Sequence, residues 1–119
     1  MKKNYRIKKS EDIEKILKNK SSVGNKNYII YIMKNSEAKH FRLAMSVSKK
    51  IGNAVVRNRQ KRLIKQVFNQ YKEEILPYDI FVIARNNSIN LTYDEVKNNI
   101  GYLLKKNNVL PEENKWKNI

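Results

Sequence analysis

The chemically most suggestive residues of this chain are the cations between residues 38 and 72. This window contains no Asp or Glu. Its basic residues are Lys39, Arg42, Lys49, Lys50, Arg57, Arg59, Lys61, Arg62, Lys65 and Lys72. A guanidinium group can bind phosphate through two parallel hydrogen bonds and can stack on bases, whereas an ammonium group acts as a point charge. A dense set of such groups without acids predicts a surface that binds a polyanion.

Half of these cations belong to one predicted helix, Asn53–Tyr71, which Asn53 can cap after the break at Gly52. Its apolar residues recur at helical spacing and are Val56, Leu63, Ile64, Val67, Phe68 and Tyr71. At 100° per residue, the opposite side and its flanks carry six side chains, which we name the basic ridge: Arg57, Asn58, Arg59, Lys61, Arg62 and Lys65. Asn58 can donate to and accept from a base or a 2′-hydroxyl. Lys49 and Lys50 lead into the helix, whose N-terminal N–H groups favour an anion.

A charged helix face can also serve only to keep a helix soluble. Such faces usually mix signs, with Glu four residues from Lys or Arg, and the basic ridge has no acid. Lysine enrichment is typical of an AT-rich genome, but three arginines within Arg57–Arg62 run against that bias. We therefore interpret the ridge as a nucleic-acid contact, with a solvated face as the alternative.

Composition limits the remaining possibilities. The chain has 119 residues, 26 Lys and Arg against 11 Asp and Glu, and a formal net charge of +15. Its length fits one domain, which we place at residues 1–110, with a polar C-terminal tail at 111–119. The absence of cysteine excludes disulfides and thiolate sites. No apolar run approaches the roughly 20 residues of a membrane span. The basic N-terminal segment is also not followed by an apolar stretch of the kind found in signal peptides. We therefore predict a cytoplasmic protein without a membrane partner.

The first half of the chain predicts one helix and two strands. Ser10 is expected to be the N-cap of a helix with acids in its first turn, ending near Lys20. Asn27–Met33 is dense in β-branched and aromatic residues and predicts a strand. Phe41–Val47 predicts a second strand by its alternation, and the short loop Lys34–Lys39 favours an antiparallel pair.

The second half predicts a third strand and a last helix after the basic one. Asp79–Arg85 contains a continuous apolar run, which indicates burial on both faces of a sheet. Thr92 and Glu95 form a capping box, and the apolar side of the helix that follows carries Val96, Ile100, Leu103 and Leu104. The order α-β-β-α-β-α predicts an α/β sandwich with a small sheet and at least one crossover helix.

Protein-based catalysis finds little support in the sequence. His40 is the only histidine, and Ser46 and Ser48 have no evident base, so we assign no catalytic residue. The acids at positions 11, 12 and 14 fit helix-start electrostatics better than a metal site, so we also assign no metal or other cofactor to the protein. A general or ribosomal RNA-binding protein and a metal-dependent nuclease acting without RNA are the rival hypotheses.

The segment Ser46–Arg62 closely resembles the signature of the bacterial ribonuclease P protein component, above all in Arg-Asn-Arg-x-Lys-Arg at 57–62. Tyr5–Lys9, Phe41–Leu43 and Val82–Arg85 are similar to other parts of that family, so the resemblance spans about residues 4–106. It implies an α/β sandwich with a left-handed βαβ crossover through the basic helix.

The resemblance also implies a function. The family is the protein subunit of a ribonucleoprotein endonuclease that removes 5′ leaders from precursor tRNA. Its RNA subunit holds the catalytic centre and uses Mg²⁺. The implied partners are therefore ribonuclease P RNA and the precursor-tRNA leader, with no small-molecule substrate.

Two sets of site residues follow from the resemblance. The expected contacts to the RNA subunit are Lys49, Lys50, Asn53, Arg57, Asn58, Arg59, Lys61, Arg62 and Lys65. The expected leader-binding cleft, between the first helix and the sheet, comprises Ile13, Leu17, Tyr31, Arg42, Ala44 and Ser46. Family members often carry Phe where Ile13 and Leu17 stand. Without stacking there, leader binding is expected to be weaker or to depend on Tyr31, and both positions can instead be plain core residues.

Overall fold

The computed structural model describes residues 3–111, which form one four-stranded sheet and three α-helices. The elements are α1 (Ser10–Lys18), β1 (Ser22–Gly24), β2 (Tyr28–Lys34), β3 (Arg42–Val47), α2 (Ala54–Gln70), β4 (Tyr78–Ala84) and α3 (Tyr93–Lys106). Short 3-10 turns lie at Lys3–Tyr5, Lys49–Ile51 and Asn86–Ser88. The predicted mixed fold of helices and strands is confirmed, whereas the predicted tail lies almost wholly outside the described residues.

The strand order corrects one prediction. The sheet runs β1-β2-β4-β3, with β2 antiparallel and β3 parallel to β4. The predicted antiparallel pair of β2 and β3 is therefore wrong, because β4 lies between them. The run Ile80–Ile83 is apolar on both faces, which suits a central strand. The predicted βαβ unit is present as β3-α2-β4, and its left-handed sense stays a prediction.

The two faces of the sheet bury different clusters. Ile30 of β2 and Met45 of β3 both pair with Val82 of β4, so these residues share one face of the sheet. That face packs against α2 and α3 in the main core. Tyr31 and Ala44 pair with Phe81 on the opposite face, where α1 contributes Ile16 to a smaller cluster. The alternation read from the second predicted strand is thus confirmed. The two clusters place α1 and the basic helix on opposite sides of the sheet.

Helix ends agree with the sequence in two cases and differ in one. Asn53 Oδ1 accepts from the Val56 N–H at 3.1 Å, and Thr92 and Glu95 form both bonds of the capping box. At α1, however, Lys9 occupies the N-cap without a side-chain bond, Ser10 is already helical, and the helix ends at Lys18. The short strand β1 escaped prediction because three residues with a single apolar side chain show no periodicity.

A buried polar contact fixes α2 over the sheet. Gln60, which stands at the x of the Arg-Asn-Arg-x-Lys-Arg segment, is 0% exposed. Its Nε2 donates to the Ser88 carbonyl, and its Oε1 accepts from the Tyr28 hydroxyl at 3.3 Å. Buried amides and hydroxyls require such partners. Together with the apolar face of α2, Gln60 therefore helps to fix the rotation of the helix that turns the basic ridge to solvent.

Alkaline pH is expected to test this contact. Burial raises the pKa of Tyr28 from 10.0 to about 12. Stability from the neutral phenol is therefore fully present below about pH 10 and is lost as the pH rises towards about 12. We expect Tyr28→Phe to be less stable at pH 8, by about 1 kcal/mol, because the hydrogen bond to Gln60 is lost. Between pH 10 and 11.5, however, its urea midpoint should fall less steeply than that of the wild type. Equally steep declines of the two urea midpoints would contradict the buried, neutral Tyr28 phenol as the source of the difference, since the other titrating groups are common to both proteins.

Candidate nucleic-acid interface

The basic ridge lies on the solvent side of α2. Asn58, Arg59 and Arg62 are exposed, while the other three ridge residues are half-buried along the helix flanks. On the opposite side, Ile64 and Val67 are fully buried in the main core. Packing of one helix face on the sheet therefore leaves the cations pointing outward, as the helical wheel predicted.

The approach to α2 extends the ridge at its N-terminal end. Lys49 and Lys50 are exposed in the 3-10 turn that directly follows β3. Ser48 Oγ accepts from the Lys50 N–H at 3.1 Å, and Ile51 is buried, so the turn is held from both sides. Asn53 is exposed at the helix cap. The structure thus brings the nine residues of the expected RNA-subunit surface into one continuous stretch.

The charges on this surface repel one another. Between residues 3 and 111, the ion pairs found are both formed by Arg42, so no ridge cation has an acidic partner in that range. Partial burial, followed by the charges of Arg6 and Lys61, lowers the pKa of Lys65. Arg6 forms an isolated parallel β-bridge with Leu43 of β3. The sequence did not predict that Arg6 would lie near the ridge. A bound polyanion would relieve this repulsion.

One ridge arginine is oriented by the protein itself. Arg59 Nη2 donates to the Leu91 carbonyl at 3.3 Å, which ties its side chain to the segment before α3. Restricting this long side chain before binding reduces the conformational entropy lost when a ligand binds. The Arg57 Nε, in contrast, is buried without a hydrogen-bond partner among the described residues.

The expected leader cleft lies on the other face of the sheet. Ile13, Tyr31 and Ala44 belong to the smaller cluster between α1 and the sheet, with Ile13 and Tyr31 half-buried. Ser46 lies on the same face through its pairing with Ile83. Leu17 is 38% exposed and lies outside the cluster, so it is not a core residue. Tyr28, three residues before Tyr31 on β2, faces the main core on the opposite side of the sheet.

Arg42 has a partner that sequence reasoning missed. Its Nε and Nη2 donate to the two carboxylate oxygens of Asp79 at 2.8 and 2.7 Å, and Asp12 of α1 lies 4.0 Å away. Hydrogen bonding to Asp79 is the main cause of the raised pKa of Arg42. The two residues are direct neighbours in the β3–β4 register, which no local pattern reveals. The charge of Arg42 at the cleft is therefore largely neutralised, since Asp79 occupies one edge of its guanidinium through two hydrogen bonds.

Comparison with known proteins identifies the family of this chain. A family model described as Ribonuclease P matches residues 1–108. The chain belongs to the ribonuclease P protein family. The protein component from Macrococcus caseolyticus is 53% identical over 105 residues, covering 88% of this chain and 91% of that protein. The Staphylococcus aureus ribonuclease P protein structure is 44% identical with a TM-score of 0.84, covering 89% of this chain and 97% of that one. The Thermotoga maritima ribonuclease P protein is 28% identical with a TM-score of 0.78, covering 85% and 96% of the two chains.

Family membership decides among the functions considered from the sequence. The chain is a protein subunit of ribonuclease P, a ribonucleoprotein endonuclease of tRNA processing, and its partner is an RNA. Membership of this family therefore argues against the two rival hypotheses, a ribosomal protein and a nuclease that acts without RNA. None of the helices within residues 3–111 is long and apolar enough to cross a membrane.

Proposed function

We propose that this ribonuclease P subunit uses its two sheet faces for two different RNAs. The basic ridge and its approach from Lys49 bind the catalytic RNA, and the cleft between α1 and the sheet holds the 5′ leader of precursor tRNA. The observation that carries this proposal is a ridge without acidic partners between residues 3 and 111, on the sheet face opposite α1. The protein would act in the cytoplasm, where it supplies affinity and position.

Affinity on the ridge is expected to come from counterion release. If the ridge and its approach neutralise about six phosphates, log K should fall with log salt at a slope of roughly −4 to −5. Filter binding to the RNA subunit between 50 and 300 mM salt, roughly the range in which such slopes are measured, checks this value. An affinity that hardly changes with salt would exclude the ridge as the main contact.

The cleft is expected to hold the leader mainly by apolar and stacking contacts. Tyr31 is half-buried beside Phe81, with 6.5 Å between the ring centroids, and its exposed part can stack on an unpaired base. Ile13 lines the same side, and Leu17 lies at the exposed edge. Because Asp79 neutralises Arg42, this arginine would shape the cleft more than it would attract phosphate.

The catalytic metal is proposed to belong to the RNA subunit. In the part of the chain that the structure describes, no three His, Cys, Asp or Glu side chains group in a way that could hold an ion. The protein would lower the Mg²⁺ demand of the RNA by contributing fixed positive charge near the bound substrate.

Reconstitution tests the proposed function directly. The protein is mixed with its own ribonuclease P RNA and a precursor tRNA at low Mg²⁺, and release of the leader is measured. We expect cleavage to be faster with the protein than with the RNA alone. Absence of any gain would refute the proposal. Cleavage by repurified protein without RNA would support the rival nuclease hypothesis.

The exposed edge of the cleft offers a gain-of-affinity test. Leu17→Phe should leave stability almost unchanged, because Leu17 is 38% exposed. It should tighten binding of leader-bearing precursor tRNA to the holoenzyme about fivefold or more, since base–aromatic stacking contributes about 1–3 kcal/mol. Mature tRNA without a leader is the control and should bind unchanged. Weaker binding of the precursor would exclude Leu17 from the leader path.

A further inference from the structure

A groove outside both proposed surfaces lies where β2 begins and β4 ends. Two adjoining cavities of about 660 and 330 Å³ share Lys26 and Asn87. The larger one is lined by Lys26, Asn27, Asn87, Leu91, Glu95, Asn98 and Asn99. We name these two cavities together the asparagine groove. The larger volume falls within the range of roughly 300–1,000 Å³ that is usual for small-ligand sites.

A network of three asparagines supports the floor of this groove, and two of them, Asn27 and Asn99, line it directly. Asn99 Oδ1 accepts from the Nδ2 groups of Asn25 and Asn27, both at 2.8 Å, and its own Nδ2 donates to the Glu95 carbonyl at 2.7 Å. Asn25 Oδ1 in turn accepts from the N–H groups of Asn27 and Tyr28 at 2.8 and 2.9 Å. This network joins the start of β2 to α3. A site held in this way needs little ordering when a ligand binds.

The wall of the groove carries amides that are available to a ligand. Asn87 and Asn98 are exposed, and no hydrogen bond to either side-chain amide is found among the described residues. Each amide provides both donors and an acceptor, which matches the edge of a nucleobase. Leu91 is half-buried in the lining of the same cavity and offers an apolar contact for the face of the base.

Charge gives the groove a direction. Arg85 is exposed in the smaller cavity, and Lys26 is exposed where the two cavities adjoin, because it lines both. The carboxylate of Glu95 lies in the larger cavity, where its Oε1 accepts from the Thr92 N–H at 3.1 Å. A phosphate is therefore favoured near Lys26 and disfavoured near Glu95, which leaves the amide end for a base.

The groove adjoins the basic ridge. Arg59 of the ridge donates to the carbonyl of Leu91, which lines the groove. The parallel strands β3 and β4 end at the same edge of the sheet, so Lys49 after β3 and Arg85 after β4 lie towards that edge. An RNA bound along the ridge can therefore extend into the groove without crossing an acidic surface of α2.

We propose that the asparagine groove binds one unpaired nucleotide of RNA, with its base on Asn87 and Asn98 and its phosphate at Lys26. This inference rests on the RNA-binding function proposed above. The nucleotide can come from the RNA subunit or from the precursor-tRNA leader, because both present the same chemistry.

Amide substitutions test the base contact and identify the source. The double variant Asn87→Ala/Asn98→Ala leaves the floor network intact, and Asn90→Ala in the same connecting segment is the matched control, since Asn90 does not line the groove. We expect the double variant to lose affinity about fivefold or more with an unchanged salt slope. If the double variant loses affinity for the isolated RNA subunit, the bound nucleotide belongs to that RNA. A loss confined to holoenzyme binding of leader-bearing tRNA assigns it to the leader.

A charge substitution tests the phosphate contact. Lys26→Gln should reduce the magnitude of the salt slope by about 1, whereas Lys34→Gln at the far end of β2 should not. The proposal that the groove binds a nucleotide would be wrong if the groove variants kept wild-type affinity and salt slope for both the RNA subunit and leader-bearing tRNA. It would also be wrong if they lost no more affinity than the control variants. If the groove variants bind normally while Arg62→Ala is impaired, only this inference fails. If Arg62→Ala also binds normally, the proposed function of the ridge fails as well.

Discussion

Arg62→Ala is expected to weaken binding of the ribonuclease P RNA subunit about 10- to 100-fold. Arg62 is exposed on the basic ridge and has no acidic partner among residues 3–111, so its guanidinium can be committed to phosphate. A hydrogen bond to a charged group contributes about 1.5–3 kcal/mol, and each 1.4 kcal/mol is about tenfold in affinity. The salt slope should also become less steep by about 1. Filter binding at several salt concentrations measures both quantities.

Two further variants separate a shaped contact from bulk charge. Arg62→Lys keeps the charge but loses the planar fork, so it should retain the salt slope and still lose several-fold in affinity. Lys106→Ala removes one exposed charge at the end of α3, away from the ridge, and should have little effect. Arg6 is a poor control despite its distance in sequence, because its charge acts on Lys65. Equal losses for Arg62→Ala and Lys106→Ala would show that net charge alone carries binding.

Asp79→Ala is expected to destabilise the fold by about 2–4 kcal/mol. The Asp79 side chain is 3% exposed and bonds Arg42 through both oxygens, and Asn35 donates to it at 3.2 Å. Removing one partner of a buried ion pair typically costs about 3–5 kcal/mol, and the partial exposure of Arg42 reduces that value. Urea denaturation followed by circular dichroism measures the change. A loss below about 1 kcal/mol would contradict the role of Asp79 as the anchor of Arg42.

The double variant Arg42→Met/Asp79→Leu then decides what Arg42 does for the leader. Apolar side chains of similar size can replace such a pair with little loss of stability, so the double variant should recover most of what Asp79→Ala loses. If Arg42 only shapes the cleft, this variant should still bind leader-bearing tRNA at near wild-type affinity. A folded double variant with impaired leader binding would show that Arg42 contacts the leader directly.

Features that depend on neighbouring residues could be predicted from the sequence. The basic ridge follows from helical periodicity and from the absence of acids in a continuous segment, and both are local properties. The alternation of β3, the caps at Asn53 and Thr92 and the two-sided burial of β4 were predictable for the same reason. The motif at 57–62 is also continuous, so the order of residues along the chain is enough to indicate the family.

Features that join distant segments were decided by the tertiary structure. The position of β4 between β2 and β3 depends on which strands satisfy its two edges, and a short loop between β2 and β3 suggested the wrong partner. The pairing of Arg42 with Asp79 follows only from that strand order. The asparagine groove needs three chain segments to meet at one end of the sheet.

The acid-free window therefore has a different meaning in three dimensions. Sequence alone determined that residues 38–72 carry an unusual excess of positive charge and that one helix presents half of it. The fold divides this charge, because Asp79 neutralises Arg42 on one sheet face while α2 exposes the ridge over the other. It also adds Arg6 near Lys65, from outside the window. Charge density is a local property of the chain, but which charges remain available to RNA depends on long-range packing.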